Sequence, residues 1–159
     1  MRRISRLAAP ALVALVAAAP AVAATFESGD YAGHTSQINK RTGKHRKFTF
    51  HADAVNNEVN KIVFYATGKC SDGGKSYGQQ GKSPNRLFGD VDETGHFDVK
   101  AKSPSGGTTV RVVGDLAGSR ATGWLRVKSR FNAQTNESDP NGSIRCDTGK
   151  VTWSAKVTS

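Results

Sequence analysis

Near its C-terminus the chain reads KVTWSAKV, residues 150 to 157. Val151, Trp153, Ala155 and Val157 alternate there with Thr152, Ser154 and Lys156. Successive side chains of a strand point to opposite faces, so the alternation sets an apolar row against a core and a polar row in water. β-rich runs of the same kind recur at 30–37 (DYAGHTSQ), 46–52 (RKFTFHA), 58–66 (EVNKIVFYA), 96–102 (HFDVKAK), 108–116 (TTVRVVGDL) and 121–131 (ATGWLRVKSRF). Gly, Asn, Asp, Pro and Ser punctuate them as turns, and all 17 glycines lie beyond residue 24. No window of helix length after residue 24 carries an apolar stripe of helical period. A chain of many short strands must hide its edges by stacking two sheets or by closing one on itself. The expected fold is therefore all-β, a single antiparallel β-sandwich of jelly-roll-like form, with a closed β-barrel as the alternative. The stretch 72–85, DGGKSYGQQGKSPN, has no apolar pattern and is expected to be the one long loop.

The N-terminus belongs to a different class. Arg2, Arg3 and Arg6 precede an apolar, alanine-rich run, and the small residues Ala21, Val22 and Ala23 follow it. This is the pattern of an export signal, so residues 1–24 are expected to be removed and 25–159 to form one domain. No later stretch approaches the roughly 18 apolar residues of a membrane span. The expected product is secreted, free of a transmembrane segment, monomeric, and in some measure associated with the cell wall.

Export bears on the cysteines. Cys70 and Cys146 are the only two, and in an oxidising compartment such a pair is expected to form one structural disulfide. No ligand set at metal spacing surrounds either, so neither a metal nor a cofactor is expected. Charge bears on the partner. The whole chain carries 23 basic and 13 acidic residues, and loss of the three signal arginines leaves a net charge of +7. A basic exported protein favours anionic partners, among which cell-wall polymers and acidic polysaccharide are placed ahead of nucleic acid.

GDYAGHTSQ (29–37), FTF (48–50), the mid-chain Cys70, GHFD (95–98), VVGDL (112–116), ATG (121–123) and the closing CDTGKVTWSA (146–155) together resemble a group of small exported β-sandwich proteins, mostly actinobacterial, that end in Cys-x-Thr-Gly-x-x-x-Trp-x-Ala. The resemblance implies a jelly-roll-like sandwich and a structural disulfide. It carries no activity with it.

His34, His45, His51 and His96 are present, but no Gly-x-Ser-x-Gly elbow or other local nucleophile signal accompanies them. Asp90, Asp92, Thr94 and Gly95 imitate the start of a calcium loop, yet Ala101 stands where the closing Glu would be, so a polar turn at Gly95 is the simpler reading. Two basic clusters remain. Lys40, Arg41, Lys44, Arg46 and Lys47 surround a Thr42-Gly43 turn, a cationic hairpin tip. On 121–131, Ala121, Gly123, Leu125, Val127 and Phe131 form the inward set, so Trp124, Arg126, Lys128 and Arg130 share the opposite face. An aromatic ring among cations is a platform for an anionic polymer or for sugar rings.

These residues point to a secreted, non-enzymatic binding protein for an anionic or carbohydrate cell-surface polymer. The alternatives are a secreted hydrolase of glycosidase type on a sandwich fold, or a protein-binding module such as an inhibitor. The export reading makes a direct prediction: when the full chain is expressed in an exporting bacterium, mass spectrometry of the released protein should place its first residue at Ala24 or Thr25. Recovery of the intact chain in the medium would contradict it.

Overall fold

The computed structural model describes residues 25–80 and 87–158. The expected export signal at 1–24 and residues 81–85 of the expected loop lie outside the described residues. Ten strands follow in chain order: β1 (Gly29–Ile38), β2 (His45–Asp53), β3 (Glu58–Cys70), β4 (Lys75–Gln80), β5 (Gly89–Asp90), β6 (His96–Lys102), β7 (Thr108–Ala117), β8 (Arg120–Phe131), β9 (Ile144–Asp147) and β10 (Val151–Val157). Every strand ladder is antiparallel. The fold is all-β, with Cys70 joined to Cys146 in a disulfide.

The strands form a ring. β10, β1, β2, β3, β9 and β8 pair in that order, and β8 pairs back to β10. Of the two architectures expected, this closure is the barrel's. It arises because β9 and β10 lie end to end along one edge of β8, where Arg130 faces Arg145 and Leu125 faces Val151. The break at 148–150 lets β9 turn to β3 and β10 turn to β1. β7 and β6 continue the sheet from the other edge of β8, and β4 and β5 line the outer edge of β3.

β4 corrects the expectation for 72–85. Residues 75–80 pair with 64–69 of β3, and the turn before them is set by Gly73 at φ 82 and by Asp72, whose side chain accepts from the Gly74 N–H at 3.0 Å. Backbone pairing made this strand, so hydrophobic periodicity had nothing to report. The 92–96 stretch is the expected polar turn: Gly95 has φ 82, and Asp92 Oδ1 accepts from Thr94 N at 2.8 Å and from His96 N at 3.0 Å.

Trp153 occupies the centre of the core, with 3% of its surface exposed. It stacks on Phe48 at 4.3 Å and on Phe97 at 6.0 Å, and meets the edge of Phe50 at 5.8 Å. Tyr31 stacks on Phe50 at 4.8 Å and sends its hydroxyl out to the carbonyls of Glu27 and Gly118. Room for the indole comes from glycine. Gly123 lies directly opposite Trp153 on β8, Gly114 lies opposite Gly123 on β7, and a Cβ at Gly114 would stand 2.5 Å from Trp153 Cζ2. The glycines of VVGDL and ATG are thus the floor of the tryptophan site.

The ring has one narrow join. β2 leaves β3 at the Phe48–Phe64 pair, and β9 meets β3 only at Lys69–Asp147 and Cys70–Cys146. Between them the Gln37 amide takes the place of a strand: its Nε2 donates to Thr67 O at 2.8 Å, and its Oε1 accepts from Thr67 N at 2.7 Å. A primary amide presents the same donor and acceptor as a peptide group, so β3 keeps its bonds across the gap.

The two tryptophans separate by parity, Trp153 inside and Trp124 only half-buried. Trp153→Ala should therefore destabilise the protein by about 3 to 5 kcal/mol in denaturant unfolding. Trp153→Phe should cost clearly less, because it keeps a stacked ring and removes an indole N–H that has no acceptor. Trp124→Ala should cost less than Trp153→Ala, and the reverse order would contradict the assignment of faces.

Candidate functional site

The outer face of β6, β7 and β8 is a grid whose register is fixed by the ladders. One cross-strand row holds Lys102, Thr109 and Lys128. The next holds Lys100, Arg111 and Arg126, and the third holds Asp98, Val113 and Trp124, with Thr152 of β10 beyond. Lys150, in the break before β10, reaches the same place. These side chains line a groove of about 520 Å3, bounded by Lys100, Lys102, Arg111, Arg126, Lys128 and Lys150 around Trp124.

Two ion pairs brace the groove. Asp98 accepts from Arg111 Nε at 2.8 Å and Nη2 at 2.7 Å, and Lys100 Nζ stands 3.1 Å from the same carboxylate. Asp147 accepts from Arg126 Nε at 2.9 Å and from Arg126 Nη2, and it also receives the Gly149 N–H at 2.8 Å. Hydrogen bonds from Arg111 hold the Asp98 carboxyl below its ordinary range, and those from Arg126 do the same for Asp147. Above Trp124, Arg111 Cζ lies 5.2 Å and Lys150 Nζ 4.7 Å from the ring centroid. Both are cation–π distances.

The structure brings some of the anticipated residues together and separates others. Trp124, Arg126 and Lys128 share the groove. Arg130 lies on the same face of β8 but points away toward Pro140 O, 3.4 Å from its Nη1. Lys40, Arg41 and Lys44 are exposed at the β1–β2 turn, where Gly43 has φ 66. Arg46 is half-buried, and Lys47 is exposed opposite His34. None of these five lines the groove. Lys100, Lys102, Arg111 and Lys150 escaped the sequence reading. The first three were visible as the polar positions of 96–102 and 108–116, but only strand order shows that those runs are neighbours of 121–131.

The antiparallel ladders also set which charges stand at each end. Lys102, Lys128, Arg130 and the β1–β2 turn share one end of the barrel. Asp53, Glu58, Asp90 and Asp115 gather at the other, where Asp53 faces Glu58 and Glu58 faces Asp90, together with the facing pair Arg120 and Lys156. The histidines stand apart from the groove. His51 Nδ1 pairs with Asp30 and His96 Nδ1 with Asp115, each at 2.7 Å, and among the described residues no serine hydroxyl is hydrogen-bonded to a histidine. Among the described residues no group of three or more His, Cys, Asp or Glu side chains is placed to hold a metal, and no helix is long and apolar enough to cross a membrane.

No family model, no curated protein and no solved structure matches the chain.

The braced carboxylates set a pH dependence. Because the folded state lowers the Asp98 and Asp147 pKa values, their contribution to stability is complete above the unfolded value of about 3.9 and disappears as pH falls through the folded values. Both pairs are partly exposed, so each contributes on the order of 1 kcal/mol or less. Thermal unfolding of an Asp98→Asn, Asp147→Asn double variant should fall modestly below wild type at pH 7, and the two should converge as pH drops below about 4. A gap that widens on acidification would contradict the pairing.

Proposed function

We propose that the protein is a non-enzymatic binding protein that holds an anionic or carbohydrate polymer in the groove over β6, β7 and β8. One observation carries this reading: a half-exposed tryptophan stands at the centre of a concave, cation-lined sheet face, with Arg111 and Lys150 against its ring. Lys100, Lys102, Arg111, Arg126, Lys128 and Lys150 gather there, and among the described residues only Asp98 and Asp147 pair with them. Such a surface concentrates anions. The disulfide and the export signal fit a role outside the cell, at the wall or beyond it.

Rigid strands supply the geometry. Trp124, Arg126, Arg111 and Lys128 sit on paired strands, so the face is formed before any ligand arrives and little ordering is lost on contact. An open groove of point charges and one ring suits a repeating polymer better than a small molecule, which needs enclosure.

The test is sedimentation with insoluble cell-wall fractions at low salt and at about 150 mM salt, where exposed charges are screened over about 8 Å. The wild-type protein should be retained at low salt and released at the higher. A Lys102→Gln, Lys128→Gln, Lys150→Gln variant should lose most retention with an unchanged melting temperature. The corresponding change at Lys40, Arg41 and Lys44 should matter less, since those residues lie outside the groove. Release of soluble fragments would replace this reading with a hydrolase, and equal losses from both variants would deny the groove its role.

A further inference from the structure

Building on the reading that this face binds a polymer, we infer that the groove recognises negative charge alone, on a linear polymer bearing phosphate or carboxylate groups, and that Trp124 positions cations for it instead of stacking on sugar rings. The first ground is the state of the ring. Arg111 comes from β7 and Lys150 from the break before β10, and both cations stand over the indole. They stand 5.2 and 4.7 Å from its centroid. The negative faces of the π-system are where a cation is held. A sugar ring stacking on the indole would have to compete with cations that the protein itself places over the ring.

The second ground is how the cations divide. Arg111 is paired with Asp98 and Arg126 with Asp147, each through its Nε and Nη2. The charge of each arginine is therefore opposed by a carboxylate that holds it in place, and the arginines act chiefly as struts. Among the described residues Lys102, Lys128 and Lys150 have no carboxylate within ion-pair distance, so the ligand-facing charges are ammonium groups. An ammonium is a compact charge on a flexible stem and accepts an anion from many directions.

The third ground is spacing. Lys102 and Lys128 flank Thr109 in one row, two inter-strand steps apart, about 10 Å between backbones. Lys150 enters from the far edge of β8. A single small anion does not span such an array, whereas successive charges on one chain do. Like charges so placed repel one another in the free protein, and a polyanion relieves that repulsion. Lys150 would swing freely without the indole, and Trp124 confines it to the groove.

The experiment uses the oxidised mature protein with three soluble polymers: polygalacturonate for carboxylate, polyglycerol phosphate for phosphodiester, and amylose for a neutral chain. Binding is read by titration of tryptophan fluorescence, in which the buried Trp153 serves as a constant background, and by retention on the immobilised polymers. Wild type should bind one or both polyanions, the stronger of the two identifying the charged group, and should ignore amylose. Trp124→Leu should weaken polyanion binding about two- to fivefold at an unchanged melting temperature, and Trp124→Phe should keep most of it. Lys150→Gln should give a similar loss, and the Trp124→Leu, Lys150→Gln pair should lose little more than either alone, because both changes break one contact. Salt-insensitive binding to amylose that Trp124→Leu abolishes would overturn this inference and leave polymer binding standing. Polyanion binding indifferent to Trp124→Leu would overturn the positioning role. Binding to none of the polymers would remove both this inference and the reading on which it rests.

Discussion

The narrow join between β3 and β9 is the constraint on which the rest of the molecule depends. Only two residue pairs connect these strands, and one of them is the Cys70–Cys146 disulfide. The Arg145–Ser71 contacts and the Gln37 amide extend the join on either side. Without it the β1–β2–β3 layer would be tied to β8 only through β10. In the chain-entropy view a crosslink over a separation of 76 residues restrains the unfolded chain by about 4 to 5 kcal/mol, an appreciable part of a small domain's stability. The same join fixes β9, and with it Asp147, the next residue after Cys146. Asp147 then meets Arg126, so the covalent staple inside the barrel reaches the groove outside through one side chain.

Energetics and recognition separate cleanly on the outer face. The Arg111–Asp98 and Arg126–Asp147 pairs are partly exposed, and such pairs add little to stability. Their effect is geometric. Each carboxylate fixes a guanidinium that would otherwise move, and in doing so neutralises it, which leaves the excess charge on lysines. A surface with six cations and two braced acids is thus more selective in where it presents positive charge than its net charge suggests.

Trp124 and Trp153 show how one residue type takes opposite parts. Trp153 is surrounded by Phe48, Phe50 and Phe97 and stands over Gly123, where its area is removed from water. Trp124, the neighbour of Gly123 along β8, points the other way and meets cations in place of rings. A shift of one residue in β8 would exchange these environments and bury Arg126 and Lys128. That penalty is what fixes the register.

The sequence by itself determined the strands whose two faces differ. The runs at 30–37, 46–52, 58–66, 96–102, 108–116, 121–131 and 150–157 each became a strand within a few residues, because an alternating pattern is a local property that burial of one face enforces. It also determined the inward and outward sets of 121–131, and hence that Trp124, Arg126 and Lys128 would stand together. The tertiary structure decided what depends on partners far along the chain. β4, β5 and β9 are short or polar and exist through backbone pairing with β3 and β8, which leaves no periodic mark. Closure into a ring depends on β9 and β10 taking different partners on either side of 148–150; Asp147 and Gly149 mark the turn locally, but no local pattern encodes the partners. The groove required β6, β7 and β8 to be neighbours, so that Lys100, Lys102 and Arg111 joined residues already aligned on one strand. Parity along a strand is written in its own residues, whereas adjacency is decided by the free energy of the whole barrel, to which every strand contributes.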